Sequence, residues 1–180
     1  MKHLYIIIIC FLVFACVRSV KQSDIRYTTD GKIEPVPPTW KEVVGMMEGG
    51  ASCVAIGLKN NRTVLVTADH VMRHNPKYCV FNDKQYPIID KICHPNKDIC
   101  FFIINDKIQY LPPISVSDSN DDIIIGFIKK TKTTTLGRAV PGQSGGGVFS
   151  VGKGLYAIVS TTGSGVQILP ALEEIGIKLD

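Results

Sequence analysis

Ser144 stands in Pro141-Gly142-Gln143-Ser144-Gly145-Gly146-Gly147, 46 residues after Asp98 and 74 after His70. Glycines set this closely around a hydroxyl mark a sharp turn with room for a substrate to approach the backbone. His70 ends the apolar run that finishes in Thr67-Ala68-Asp69-His70, and Asp98 precedes the apolar run Ile99 to Ile104. A serine hydroxyl is a poor nucleophile until a base takes its proton. An imidazole does this best when its other nitrogen donates to a carboxylate, which fixes the tautomer and stabilises the imidazolium that forms. The order His, Asp, Ser is one in which such a hydrolytic triad occurs. Each residue also has a plain reading: a turn serine, a strand-end histidine with a structural hydrogen bond, a turn aspartate after Pro95-Asn96-Lys97. Those plain readings need three coincidences in one order, and the triad is the expectation.

Other residues compete for these roles. Asp69 adjoins His70, but neighbours on a strand point to opposite faces, which places it poorly. Asp90 lies inside a strand-like run and lacks the flanking pattern of Asp98. His74 and His94 qualify as bases by residue type only. A zinc set of Cys79, Cys93, His94 and Cys100 fits none of the tight paired spacings of structural zinc modules, so no metal is expected.

The chain starts with a basic Lys2-His3 and eleven apolar residues from Leu4 to Phe14. A bilayer span takes about 20 residues, so this run matches the apolar region of a secretory leader. Residues 1–19 are therefore expected to be a signal peptide cut after Ser19, or a lipoprotein leader, with an uncleaved N-terminal anchor as the remaining reading. Val13-Phe14-Ala15-Cys16 supports the second alternative, with Cys16 lipidated as the sole membrane attachment. Either way the protein would be secreted, or periplasmic in the cell envelope. Residues 20–39 read as a Thr/Pro-rich connector and 40–180 as one compact domain. The net charge of +4 lies partly in the leader. The remaining basic residues form no stripe that would track phosphates, so no nucleic-acid partner is expected.

Four of the six cysteines remain beyond the leader, and export permits disulfides. Three pairings are open. Cys79 with Cys93 would close a hairpin, while Cys53 and Cys100 sit in apolar runs that suit buried thiols equally. From Ala51 onward, short runs rich in Val, Ile, Thr and Phe alternate with turn signals, which argues for an all-β barrel or sandwich. Helical spacing is expected at Trp40 to Met47 and at Pro170 to Ile177. Tyr86 to Cys93 reads as one strand.

Leu111-Pro112-Pro113 divides the chain with His70 and Asp98 before it and Ser144 after it. Three blocks then resemble the trypsin-like (chymotrypsin-fold) serine peptidases. These are Thr67-Ala68-Asp69-His70-Val71, Lys97-Asp98-Ile99-Cys100-Phe101-Phe102 and Gly142-Gln143-Ser144-Gly145-Gly146. The resemblance covers roughly Cys53 to Leu169 and implies two packed antiparallel β-barrels, about 50–110 and 114–170, with a short C-terminal helix. It implies His70 as base, Asp98 as its orienter, Ser144 as nucleophile, and an oxyanion hole of the Gly142 and Ser144 N–H groups. No cofactor is implied. Gln143 replaces the aspartate of many digestive members, so activation by an ion pair to a new N-terminus is not expected; the loop is more like that of bacterial and viral members. The substrate pocket maps to Arg138 and to Ser160, Thr161, Thr162 and Gly163. No acidic residue lies there, which disfavours a Lys or Arg preference; Arg138 either faces an acidic side chain or points to solvent. The expected function is an exported serine endopeptidase acting on protein or peptide through an acyl-enzyme. One alternative is a catalytically inactive binding module of the same fold. An esterase elbow would need a helix after the serine, where strand-like Val148 to Val151 stands instead.

Overall fold

A computed structural model of the chain describes residues 25–27, 33–35, 38–116, 122–161 and 165–180. The leader, Cys16, much of the connector, Thr162 and Gly163 lie outside the described residues. In the connector β1 (Ile25–Tyr27) pairs with β2 (Ile33–Pro35). The helix α1 (Pro38–Glu42) then leads into the first sheet. That sheet holds β3 (Val44–Met47), β4 (Ser52–Lys59), β5 (Arg62–Thr67), β6 (Tyr78–Phe81), β7 (Lys84–Pro87), β8 (Asp90–Cys93) and β9 (Cys100–Ile104), in the order β7-β6-β3-β4-β5-β9-β8. A one-turn helix, α2 (Asp69–Met72), follows β5. The second sheet is β11-β10-β12-β13-β14, from β10 (Ile123–Ile128), β11 (Thr131–Leu136), β12 (Gly147–Ser150), β13 (Gly154–Val159) and β14 (Gly165–Gln167). The short C-terminal helix α3 (Ile168–Glu174) completes the expected all-β architecture of two antiparallel sheets.

The first sheet closes on itself. Its two edge strands, β7 and β8, are joined by Ile88 and Ile89 alone. Ile88 N–H donates to Lys77 O on one side and Ile89 N–H to Ile103 O on the other. The single strand expected over Tyr86 to Cys93 is thus two strands with different partners. Pro87 ends β7 and the polar pair Asp90-Lys91 opens β8, with Ile88 and Ile89 forming the corner between them.

The expected helix over Trp40 to Met47 is also corrected. Only Pro38–Glu42 is helical, and Val44–Met47 is a strand between β4 and β6. A short apolar stretch fits both periods, and here the unpaired edges of β4 and β6 decide. Period-two alternation is clear in β10, where Ile123 and Ile125 enter the main core and Ile124 enters a second cluster with Val148, Tyr156 and Val159. The main core runs through both sheets, joining Val54, Leu65 and Phe101 to Ile125, Phe149 and Leu155. Trp40 stacks on the fully buried Phe149, ring centroids 4.8 Å apart, and so pins the entry helix to the second sheet.

The disulfide joins Cys93 to Cys100, cross-strand partners in β8 and β9, and Cys53 and Cys79 are buried free thiols. The Cys79–Cys93 hairpin does not form, because β6 pairs with β3 and β7 while β8 pairs with β9. Burial, reinforced by Cys79, pushes the Cys53 thiol well up from its ordinary value.

Phe149→Ala should lower the unfolding free energy by about 3–5 kcal/mol, the usual cost of emptying an aromatic site in a core. Urea unfolding followed by circular dichroism measures it, and a loss of under about 1 kcal/mol would mean that this ring is not the shared wedge.

Candidate active site

Strand pairing brings the sequence-distant residues to one end of the molecule. β5 runs antiparallel to β9 with Thr67 opposite Cys100. His70 lies three residues past that pair and Asp98 two residues before it, so they meet at the same sheet end. In the second sheet Gly147 of β12 is opposite Ile158 of β13. Ser144 precedes the first and Ser160 follows the second, so these also share one end.

His70 does not sit on a strand. It lies in α2, whose Val71 and Met72 are buried in the core and leave His70 facing outward. This changes the reason for setting Asp69 aside: its carboxylate is held by Arg73 one turn on, with Arg73 Nε donating at 2.8 Å. Asp90 is exposed on β8 and accepts the backbone N–H of Lys91. His94 is buried, and its Nδ1 accepts Asn96 N–H at 3.1 Å, so its Nε2–H donates to Glu174 at 2.8 Å. His74 is exposed and lines the cleft.

Asp98 is the meeting point. Its Oδ1 accepts the backbone N–H of His70 at 2.9 Å, and its Oδ2 lies 2.8 Å from His70 Nδ1. Ser160 Oγ–H donates to Oδ2 at 2.6 Å, and Thr161 N–H approaches at 3.4 Å. One carboxylate thereby holds groups from both sheets. Burial works to raise the Asp98 carboxyl, but the hydrogen bonds from Ser160, the His70 backbone and the His70 ring outweigh it and leave the group below the usual carboxylate value. A carboxylate against Nδ1 requires the proton on that nitrogen, which leaves His70 Nε2 free to accept one.

The Ser144 loop is fastened through a chain of three hydrogen bonds around Ser52. Ser144 O accepts Ser52 N–H at 2.9 Å, Ser52 Oγ accepts Phe127 N–H at 2.7 Å, and Thr67 Oγ–H donates to Ser52 O at 2.7 Å. Gly145 adopts φ +75°, and a Cβ there would lie 2.2 Å from Ser52 O and 2.3 Å from Thr67 Oγ1, so no larger residue fits. Gln143 turns inward and is fully buried. Its Oε1 accepts Val140 N–H at 3.0 Å and Thr135 Oγ–H at 3.2 Å, and its Nε2 donates to Thr133 Oγ1 at 3.3 Å. A neutral amide thus anchors the loop. Among the described residues, no backbone carbonyl takes the N–H of Gly142 or of Ser144.

Ser52 and Thr67 were missed by the sequence reading, since each looks like an ordinary polar residue at a strand end. Ser160 was expected to contact substrate, but its hydroxyl is turned to Asp98. Arg138 is exposed, and with Ser160 and Thr161 it lines a cavity of about 250 Å³ that also reaches Gly142 and Ser144. A larger cavity, about 630 Å³, lies on the other side of Ser144 and is lined by His70. Of the zinc set, Cys93 and Cys100 are spent on the disulfide, and Cys79 is buried beside β7.

Replacing Gln143 by Ala should slow reaction of Ser144 with a fluorophosphonate by about a hundredfold, the cost of a misplaced oxyanion donor. An unchanged rate in a folded variant would mean that the loop holds itself. Asp98 ionises more readily in the folded chain than in the unfolded one. Its contribution to stability is therefore complete above the unfolded pKa of about 4, and it is lost as pH falls through the lower folded value. The gap in thermal midpoint between the wild type and Asp98→Asn should be constant at neutral pH and close below about pH 4; a gap independent of pH would contradict this.

No family model and no curated protein matches the chain. Among solved structures it is similar to an inactive form of the protease Rv3671c of M. tuberculosis, with TM-score 0.56 and 14% identity, over 77% of this chain and 91% of that one. It is also similar to the serine protease of a human pathogenic astrovirus, with TM-score 0.55 and 17% identity, over 83% of this chain and 97% of that one. Both neighbours are serine proteases of the chymotrypsin fold, and that fold is the fold of this chain.

Proposed function

We propose that the chain is an exported serine endopeptidase that cleaves peptide bonds through His70, Asp98 and Ser144. The observation that carries this reading is the Asp98 carboxylate, shared by His70 and Ser160 beside a cleft that His70 and Ser144 both line. His70 Nε2 takes the proton of Ser144 Oγ–H as the oxygen attacks the scissile carbonyl. The N–H groups of Gly142 and Ser144 receive the oxyanion, where each donor is worth about 10²–10³ in turnover. Collapse of the tetrahedral intermediate breaks the C–N bond, and His70 hands its proton to the departing amine. Water then attacks the acyl-enzyme by the same route, regenerating Ser144 and releasing the acid.

The smaller cavity, between Arg138 and Thr161, receives the side chain before the scissile bond. No acidic residue lines it among the described residues, which speaks against a Lys or Arg preference. Work outside the cytoplasm is proposed from the leader pattern, and the Cys93–Cys100 disulfide is in keeping with it.

Fluorophosphonate treatment of the purified domain, read by intact mass, should give one adduct that disappears in Ser144→Ala. His70→Ala and Asp98→Asn should also lose most of the labelling rate, Asp98→Asn by about 10⁴-fold. A folded wild type without an adduct would instead favour the non-catalytic binding module.

A further inference from the structure

Three hairpin turns among the described residues have two central residues, both at positive φ. They are Asn60-Asn61 between β4 and β5, Asn82-Asp83 between β6 and β7, and Lys129-Lys130 between β10 and β11. Such turns favour Asn, Asp and Gly, whose side chains tolerate the left-handed conformation. Two of the three obey that rule. The third places lysines at φ 48° and 68°, against their backbone preference. This exceptional turn is also the one that lines the 630 Å³ cavity with His70 and Ser144. Unfavourable backbone at a ligand-facing position is where a side chain is retained for what it contacts.

The charges support a role in recognition. Both lysines are exposed, and among the described residues neither has an acidic partner. Lys130 passes over Gly50, its Cγ 3.7 Å from where a Cβ would stand, so its stem rests on the cavity wall. The one carboxylate lining the cavity, Glu48, accepts the backbone N–H of Lys77 at 2.7 Å. Two lysines therefore share the lining with a single carboxylate, one oxygen of which already accepts a hydrogen bond.

The chemistry gives the cavity a side. His70 lines this cavity and not the one beside Arg138. In the mechanism proposed above, on which this step rests, His70 gives its proton to the departing amine. The segment after the scissile bond thus lies on the side of His70. We infer that Lys129 and Lys130 select substrates with acidic side chains in the first residues after the cleaved bond.

The test pairs a binding with a cleavage measurement. Ala-Glu-Glu-Ala and Ala-Gln-Gln-Ala, with free amino termini, are titrated into ¹⁵N-labelled Ser144→Ala protein. Separately, wild type digests a proteome-derived peptide library, and the sequence after each new amino terminus is read by mass spectrometry. The acidic tetrapeptide should bind about fivefold more tightly, as two partly exposed ion pairs allow. Its signals should shift at residues 128–131, and added salt should erase the difference. In K129N/K130G the acidic-to-neutral ratio should fall to about one, while the thermal midpoint rises because Asn-Gly suits the turn. Equal affinities, or a preference that survives K129N/K130G, would overturn the inference. Acid-selective binding without any cleavage would sustain the charge reader and defeat the peptidase reading. Cleavage without an acidic bias would do the reverse.

Discussion

Everything in the cleft depends on how one sheet is registered against the other, and the buried Ser52 sets that register. Its N–H holds the carbonyl of Ser144, its hydroxyl accepts from Phe127 in β10, and its carbonyl accepts from Thr67 at the end of β5. Three polar groups of one fully buried residue are each satisfied by a different element. An unpaired buried polar group costs about 1–3 kcal/mol, so sliding the sheets would break several such bonds at once. Gly145 belongs to the same junction, since its missing Cβ lets the Ser144 loop lie directly on Ser52 and Thr67. The backbone of Ser144 and the end of β5, three residues before His70, are thus tied together through the same few atoms.

A second clamp acts on Asp98 from the other direction. Cys93 and Cys100 close a loop of six residues, His94 to Ile99, that carries Asp98 near its end. Inside it, His94 N–H donates to Ile99 O, and the buried His94 ring reaches Glu174 of α3. Lys97 Nζ pairs with the same carboxylate, which together with His94 holds Glu174 below its usual value. The C-terminal tail continues along the first sheet, with Asp180 N–H on Leu58 O. A helix that follows the second sheet therefore braces the acid of the first. Gln143 solves the matching problem in the Ser144 loop with a neutral amide, which needs no charged partner inside the protein.

The fold class was legible because strand-forming runs are local signals, and the glycines around Ser144 marked a turn for the same reason. What was hidden depends on partners distant in sequence. Val44–Met47 has helical spacing, yet it becomes a strand because β4 and β6 leave edges to fill. The disulfide followed from the pairing of β8 with β9, which no spacing rule reveals. Ser52, Thr67 and the inward turn of Gln143 were invisible because a polar residue beside a strand end is normally a solvated one. The Lys129-Lys130 turn was hidden as well, because it lacks the Asn, Asp or Gly that marks a tight hairpin.

The decisive measurement is the crystal structure of the domain with a peptide boronate bound. Boron should be bonded to Ser144 Oγ, with one boronate oxygen on the N–H groups of Gly142 and Ser144, and the other against His70 Nε2 on the side of Lys129 and Lys130. A boronate left unbound, or held with those amides turned away and His70 detached from Asp98, would contradict this mechanism.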